Sequence, residues 1–229
     1  MKKPKFFRQF DYDRTLLPNA FLAELEDVET LEQAKDKTGY TIGYPGWNLI
    51  YSILLSHLKP DQWNVIIETG TNLGCSTIIL AQALKDSCAN GQVYTVELAS
   101  ENYEKAKYHF AQAGVNELIG ARLGDSKEVL KQIIQEVTGI RTAFLDASHL
   151  LNDVLAEFEI IYPLLDEDSI VIFDNTYQIA EPHEDQRVFG ALHKIQEIYG
   201  GNLINFEFVS WYTPGLAIWQ KTPFPKAEL

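Results

Sequence analysis

Two short segments carry the residues best suited to chemistry. One is Phe144-Leu145-Asp146-Ala147-Ser148-His149 and the other is Phe173-Asp174-Asn175-Thr176. If the apolar runs that lead into them are neighbouring parallel strands, Asp146, Asp174 and Asn175 meet at one sheet edge. Two carboxylates and an amide oxygen make a hard, oxygen-only set. Such a set suits Mg²⁺ first, with Mn²⁺ or Ca²⁺ as alternatives, and leaves positions for water and substrate. Without a cation the carboxylates would repel, and one would take up a proton. Strand-end acids also cap helices or meet solvent, so neither aspartate is telling by itself. His149, three residues after Asp146, has an imidazole that titrates near neutrality and so could accept a substrate proton. A structural histidine is the competing assignment.

A second constellation lies upstream. Glu68-Thr69-Gly70-Thr71-Asn72-Leu73-Gly74-Cys75-Ser76-Thr77 leaves a β-rich run and enters a helical one. Gly70 and Gly74 permit a sharp turn, and the helix start offers free N–H groups beside the Ser76 and Thr77 hydroxyls. The next strand ends in Glu97, placed to accept from both hydroxyls of a ribose. The bland alternative is a tight turn, with Glu97 capping the following helix. The spacing G-x-x-x-G departs from the dinucleotide fingerprint G-x-G-x-x-G.

Glu68-Thr-Gly-Thr-Asn-Leu-Gly-Cys-Ser resembles the first motif of class I S-adenosylmethionine-dependent methyltransferases, and the likeness extends over roughly residues 40–221. It implies that Gly70, Asn72 and Ser76 meet the methionine end of the cofactor and Glu97 the ribose. Asp125 and Ser126, which close the third strand, would meet the adenine; helix capping is their other reading. The full implied cofactor set is Glu68, Gly70, Asn72, Gly74, Ser76, Glu97, Leu98, Asp125, Ser126 and Asp146. The Asp146…Asp174-Asn175 set resembles the metal site of catechol and caffeoyl-coenzyme-A-type O-methyltransferases. Leu145-Asp-Ala-Ser-His, Pro163-Leu-Leu and Phe173-Asp-Asn are similar to bacterial methyltransferases near the cephalosporin-hydroxylase group. In the metal-dependent enzymes a lysine often stands where this chain has His149. The resemblance thus implies His149 and Asp146 as the catalytic residues, and Asp146, Asp174 and Asn175 as metal ligands.

The elements that must position these residues alternate. Strands are expected at Val65–Glu68, Gln92–Glu97, Gly120–Leu123, Thr142–Asp146 and Ser169–Asp174. Helices are expected near 75–86, 101–113, 127–137, 150–162 and 187–199, with Ser100 as an N-cap. Runs such as Ile170-Val171-Ile172-Phe173 indicate burial on both faces, hence a parallel sheet between helix layers. Asn202–Val209 and Gly215–Lys221 read as a terminal antiparallel pair, as in the methyltransferase sheet. The expected fold is therefore an α/β, Rossmann-like doubly wound sheet, mostly parallel. It would form one domain: a helical extension over 1–60 packed on a core over 61–229.

The chain has 229 residues, 32 acidic against 19 basic, and a formal charge of −13. That excess repels phosphate backbones, so nucleic acid is not an expected partner. No apolar run approaches the roughly 20 residues that span a bilayer, so no membrane partner is expected either. Two cysteines without a C-x-x-C pair point to a reducing cytoplasm; Cys75 reads as packing. His57, His109 and His193 read as structural. Glu181-Pro182-His183-Glu184-Asp185 reads as a solvated acidic loop, with a lid or a further oxygen ligand as alternatives. Tyr44, Trp47, Tyr177, Trp211 and Tyr212 are candidates for an aromatic substrate wall.

The leading expectation is a metal-assisted O-methyltransferase acting on a hydroxyl of a small molecule, with vicinal diols and catechols favoured. The reading admits a homodimer. Its rivals are a nicotinamide-dependent oxidoreductase, which leaves Asp174-Asn175 and the terminal strand pair unexplained, and a non-catalytic methyltransferase-like binding protein.

Overall fold

The computed structural model describes residues 19–24, 30, 32–33, 36, 46–207 and 215–222. Tyr44, Val209, Trp211 and Tyr212 lie outside the described residues. Seven strands form one sheet: β1 (Trp63–Thr69), β2 (Asn90–Glu97), β3 (Ile119–Leu123), β4 (Ile140–Leu145), β5 (Leu165–Asp174), β6 (Asn202–Phe206) and β7 (Leu216–Gln220). Their order is β3-β2-β1-β4-β5-β7-β6. The first five are parallel, and β7 runs antiparallel between β5 and β6. This is the Rossmann-like arrangement the alternation implies.

The helices are α1 (Ala20–Ala23), α2 (Gly46–His57), α3 (Cys75–Asp86), α4 (Ser100–Gln112), α5 (Ser126–Glu136), α6 (Leu151–Ile161) and α7 (Val188–Tyr199). Side chains alternate across each strand, so the sheet separates two cores. Ile66, Phe144, Ile170 and Ile172 meet residues of α2, α3 and α4 on one face. Ile67, Leu145, Val171 and Phe173 meet α5, α6 and α7 on the other. Helix α3 is buried along most of its length; its sequence is apolar all round because α2 covers the side away from the sheet. Leu22 of α1 and Trp47, Ile50 and Leu54 of α2 belong to this same core. Ser100 is not an N-cap: Ala99 holds that place, without a side-chain bond, and its N–H donates to Glu97 Oε1 at 2.9 Å. The terminal carboxylate of the second strand fixes the residue that enters the helix, one position before Ser100.

Buried Arg141 ties α2 to the amino end of the sheet. Its guanidinium donates to the His57 carbonyl at 3.1 Å, to His57 Nδ1 at 3.3 Å and to Asp168. The His57 imidazole donates from Nε2 to the Arg141 carbonyl at 3.2 Å. Burial, then the Arg141 charge, lower the His57 pKa to about 4. The unfolded chain therefore takes up this proton from about pH 6.5 downward, while the folded chain resists it until about pH 4. The stability His57 contributes is present above 6.5 and is lost as pH falls through 4, on the order of 1–2 kcal/mol after solvent screening. The melting temperature should fall over that window, and His57→Gln should flatten the fall. An identical pH profile in the variant would assign the loss elsewhere.

Candidate active site

The direction of chain reversal changes between β1 and β4, where an open α/β sheet forms a crevice at its carboxyl edge. A cavity of about 770 Å³ opens there, the size of a cofactor site. Gly70 and Asn72 of the first turn line it, with Glu97 and Leu98 from the second strand end. Asp125 and Ser126 follow the third strand, Asp146 and His149 the fourth, and Asp174 and Asn175 the fifth. These ten residues, all singled out in the sequence, come together. Glu68, Gly74 and Ser76 do not line the cavity.

The backbone of the first turn is fixed from several sides. The Gly70 and Thr71 N–H groups donate to the Val96 carbonyl at 3.0 and 3.1 Å. Gly70 sits at φ +87°, where a Cβ would collide with the Asp146 backbone carbonyl. Only glycine lets the first and fourth strand ends close this tightly. Gly74 also has φ +87°, and its missing Cβ leaves room for the Phe110 ring of α4 rather than for a ligand. Buried Glu68 lies behind the turn, with Oε2 accepting from Thr95 Oγ1 at 2.6 Å and from Thr77 Oγ1. Burial raises its pKa. Glu68 is thus a brace for the turn, and the Thr77 hydroxyl faces it instead of the cavity.

Glu97 is held in place as well. Oε2 accepts from the Asn72 N–H at 2.7 Å and Oε1 from the Ala99 N–H at 2.9 Å. Each oxygen retains a lone pair, so the cap-like bonds and a ribose contact are compatible. Asp125 is the N-cap of α5, its Oδ1 accepting from the Lys127 N–H at 3.0 Å. The capping reading of Asp125 therefore holds, on the cavity wall.

Asp146 and Asp174 form the polar end of the cavity. Burial raises both, Asp146 to about 8, where the charges of Glu68 and Glu157 add to it. Asp174 rises well above the ordinary carboxylate range through burial and then the charge of Asp146. Asp174 Oδ1 is buried and receives no hydrogen bond from an N–H or hydroxyl among the described residues, leaving only the neighbouring Asp146 carboxyl, with which it can share a proton. His149 Nε2 lies 3.4 Å from Asp146 Oδ1 and 2.9 Å from the Asn175 amide nitrogen. Burial, and secondarily Arg187, lower its pKa against the pull of Asp174. Asn175 holds left-handed backbone at φ +56°, a conformation asparagine tolerates better than most residues. Asp146, His149 and Asp174 each present a ligand atom within 4.8 Å of the others. An orphaned buried carboxylate oxygen in such a cluster is what a divalent cation would satisfy; turning the Asn175 amide would add its oxygen.

Two parts of the site were not singled out in the sequence. Glu157 of α6 is buried under the cavity, accepting from Ser126 Oγ at 2.5 Å and Thr69 Oγ1 at 2.8 Å. The available signal was its spacing: Glu157 shares the buried face of Val154, Phe158 and Ile161, where an acid needs partners. Asp153 receives Lys127 Nζ and Ser148 Oγ, each at 2.8 Å, clasping the loop that carries His149. The 181–185 loop is exposed at Glu181, His183 and Glu184, as expected of a solvated acidic loop, but its last residue departs from that expectation. Asp185 is buried and closes it, accepting from the Ile179 and Arg187 N–H groups at 3.2 and 2.8 Å. Cys75 is buried with its thiol pushed up to about 12, so it packs and stays protonated.

Comparison with known proteins bears on this cavity directly. A family model described as a methyltransferase domain matches residues 67–176, the stretch from the first strand through Asn175. Residues 67–176 are thus similar to a methyltransferase domain. The chain's fold is shared with an O-methyltransferase from Bacillus cereus solved with S-adenosylhomocysteine. The TM-score is 0.69 at 22% identity, over 82% of this chain and 86% of that one. An O-methyltransferase of tomaymycin synthesis from Streptomyces achromogenes, solved with S-adenosylmethionine, gives 0.68 at 20% identity over 83% and 86%. Among curated relatives, a protein-L-isoaspartate O-methyltransferase from Staphylothermus marinus is 34% identical over 76 residues, 32% of this chain and 34% of that protein. A rhamnosyl O-methyltransferase from Mycobacterium tuberculosis is 29% identical over 158 residues, 61% of each chain. The chain thus spans about a third of the first relative's length and less than two thirds of the second's. Among the described residues, no helix is long and apolar enough to cross a membrane.

Proposed function

We propose that this protein transfers a methyl group from S-adenosylmethionine to a hydroxyl of a small molecule, with assistance from a divalent cation. The observation that carries this reading is the Asp146–Asp174 pair, with its orphaned oxygen, at the end of a cofactor-sized cavity. When bound, S-adenosylmethionine would supply a methyl already activated on a sulfonium, and the transfer would exchange the S–CH₃ bond, its electron pair going to sulfur, for an O–CH₃ bond. A cation held by Asp146, Asp174 and Asn175, Mg²⁺ being the first choice, would supply the Lewis acidity that makes the acceptor oxygen nucleophilic near neutrality. Glu97 would hold the ribose hydroxyls, and Asn72 and Gly70 would shape the methionine end. His149 would receive the hydroxyl proton on its neutral imidazole. The chain's remaining task is to align the acceptor oxygen with the methyl and keep water out.

The two curated relatives described above are named for methylation at oxygen, and a rhamnosyl group offers neighbouring hydroxyls. An acceptor with two adjacent oxygens fits a cation-holding site for the same reason. The −13 charge weighs against nucleic-acid acceptors. Both cysteines are free, in keeping with a reducing compartment.

Calorimetry with S-adenosylhomocysteine and with NAD⁺, each with and without Mg²⁺, tests the cofactor assignment. Binding of S-adenosylhomocysteine is expected, and Glu97→Ala should weaken it by roughly 1.5–3 kcal/mol, the scale of hydrogen bonds to a charged group. A protein that binds NAD⁺ and ignores S-adenosylhomocysteine would be an oxidoreductase.

A further inference from the structure

Arg187 sits against the two loops that carry His149 and Asn175, without a carboxylate of its own among the described residues. It is the residue before α7, half-buried, and its backbone is locked in place. Its N–H donates to Asp185, it bridges in strand fashion to Leu150, and the next pairing runs from the Leu151 N–H to the Gln186 carbonyl at 2.8 Å. The loop bearing His149 and the loop following Asn175 are thereby fastened together at Arg187.

The guanidinium itself lies 5.5 Å from the centroid of the Tyr177 ring, two residues beyond Asn175. Among the described residues no carboxylate comes within ion-pairing distance of it. Asp185, the acid nearest in sequence, has both oxygens engaged by backbone N–H groups. Lys127, the cation on the cavity wall, is by contrast already paired with Asp153 at 2.8 Å. A half-buried guanidinium that only faces an aromatic ring keeps most of its hydrogen-bonding capacity unspent.

The surroundings narrow what could use that capacity. Asp146 and Asp174 disfavour any anion that approaches without a local countercharge. Leu150, at 60% exposure, and Ile179, at 53%, present apolar surface on the same two loops. An acceptor with an apolar body and one carboxylate would lay the first on these residues and the second on the fork of Arg187, in the two-point geometry guanidinium favours.

We propose that Arg187 is a specificity-determining residue that selects acceptors carrying a carboxylate near the reacting hydroxyls. This rests on the O-methyltransferase reading above and adds the class of acceptor. The rival account is that Arg187 merely holds Tyr177 and the loop. That account gives no reason for an acid to be preferred over its ester.

The probes are 2,3- and 3,4-dihydroxybenzoate and their methyl esters, which have the same diol and nearly the same shape without the charge. Affinities are read by calorimetry on the full chain loaded with S-adenosylhomocysteine and Mg²⁺, and methyl transfer is read separately with S-adenosylmethionine. At least one acid should bind about 10–100-fold more tightly than its ester, the range for hydrogen bonds between charged groups. In Arg187→Gln the ratio should fall to about one, and Arg187→Lys should restore part of it; retained affinity for S-adenosylhomocysteine shows that both variants fold. The inference is overturned if neither acid binds better than its ester, or if the preference survives in Arg187→Gln. Binding with the expected preference but no methyl transfer to any diol would instead count against the O-methyltransferase reading.

Discussion

Asp174→Asn should make the metal-free protein more stable and the enzyme almost inactive. The carboxylate is buried against Asp146, and one of its oxygens receives no hydrogen bond from an N–H or hydroxyl among the described residues. A neutral isostere removes the repulsion and keeps the Oδ acceptor for the Asn175 amide, which donates to Oδ2 at 3.0 Å. Relief of that kind stabilises by about 1–3 kcal/mol, a few degrees in melting temperature for a chain of this size. In the wild type, saturating Mg²⁺ should raise the melting temperature by mass action, about 2.7 kcal/mol at a hundred times Kd. The variant should lose that increment, and turnover should fall ~10³-fold, as several kcal/mol of charge stabilisation disappear. Melting curves with and without Mg²⁺ read both signs at once. A variant that still gains stability from Mg²⁺ would remove Asp174 from the cation site.

His149→Gln separates two duties that the geometry allows the imidazole. As the proton acceptor, His149 is worth about 10²–10⁴-fold in turnover. As a cation ligand, it would be worth stability in the presence of Mg²⁺. One ring nitrogen, Nε2, faces both Asp146 and Asn175, so the same atom cannot perform both duties in one complex. The expected result is a 10²–10⁴-fold loss of turnover with the Mg²⁺ increment retained and binding of S-adenosylhomocysteine nearly unchanged. Loss of the increment along with turnover would make His149 a ligand. Near wild-type turnover would leave deprotonation to the other groups of the site.

The sheet and most of the site were legible because strand ends announce themselves locally. Glu97, Asp125, Asp146 and Asp174 each end or follow a β-rich run, and parallel strands bring such residues to one edge whatever the loops do. Ser100 has a hydroxyl suited to an N-cap, but the helix starts at Ser100 itself, because Glu97 holds the Ala99 N–H and sets the entry one residue earlier. Ser76 and Gly74 fit the motif, yet face the α4 side or lie behind the turn; the sequence shows which residues share a turn and not which side of it they present. Glu157 and Arg187 were missed for a related reason. Their importance depends on what stands opposite, Thr69 and Ser126 for one and Tyr177 for the other, across 31 to 88 residues of chain or a loop closure that no local pattern encodes.

The insertion of β7 between β5 and β6 has a consequence for how the protein is made. Among the described residues strand β6 pairs only with β7, and the carboxyl end of β5 is paired on its outer side through Asp174 and Leu216. During synthesis the first five strands can assemble while β6 has emerged but has nothing to pair with. Helix α7 must then hold it near the sheet until β7 arrives and slides into the gap. The reaction centre is therefore the last part of the molecule to be secured, some 40 residues after its own aspartate has left the ribosome. A nascent chain arrested before Leu216 would have an almost complete cofactor cleft but an open strand edge beside Asp174.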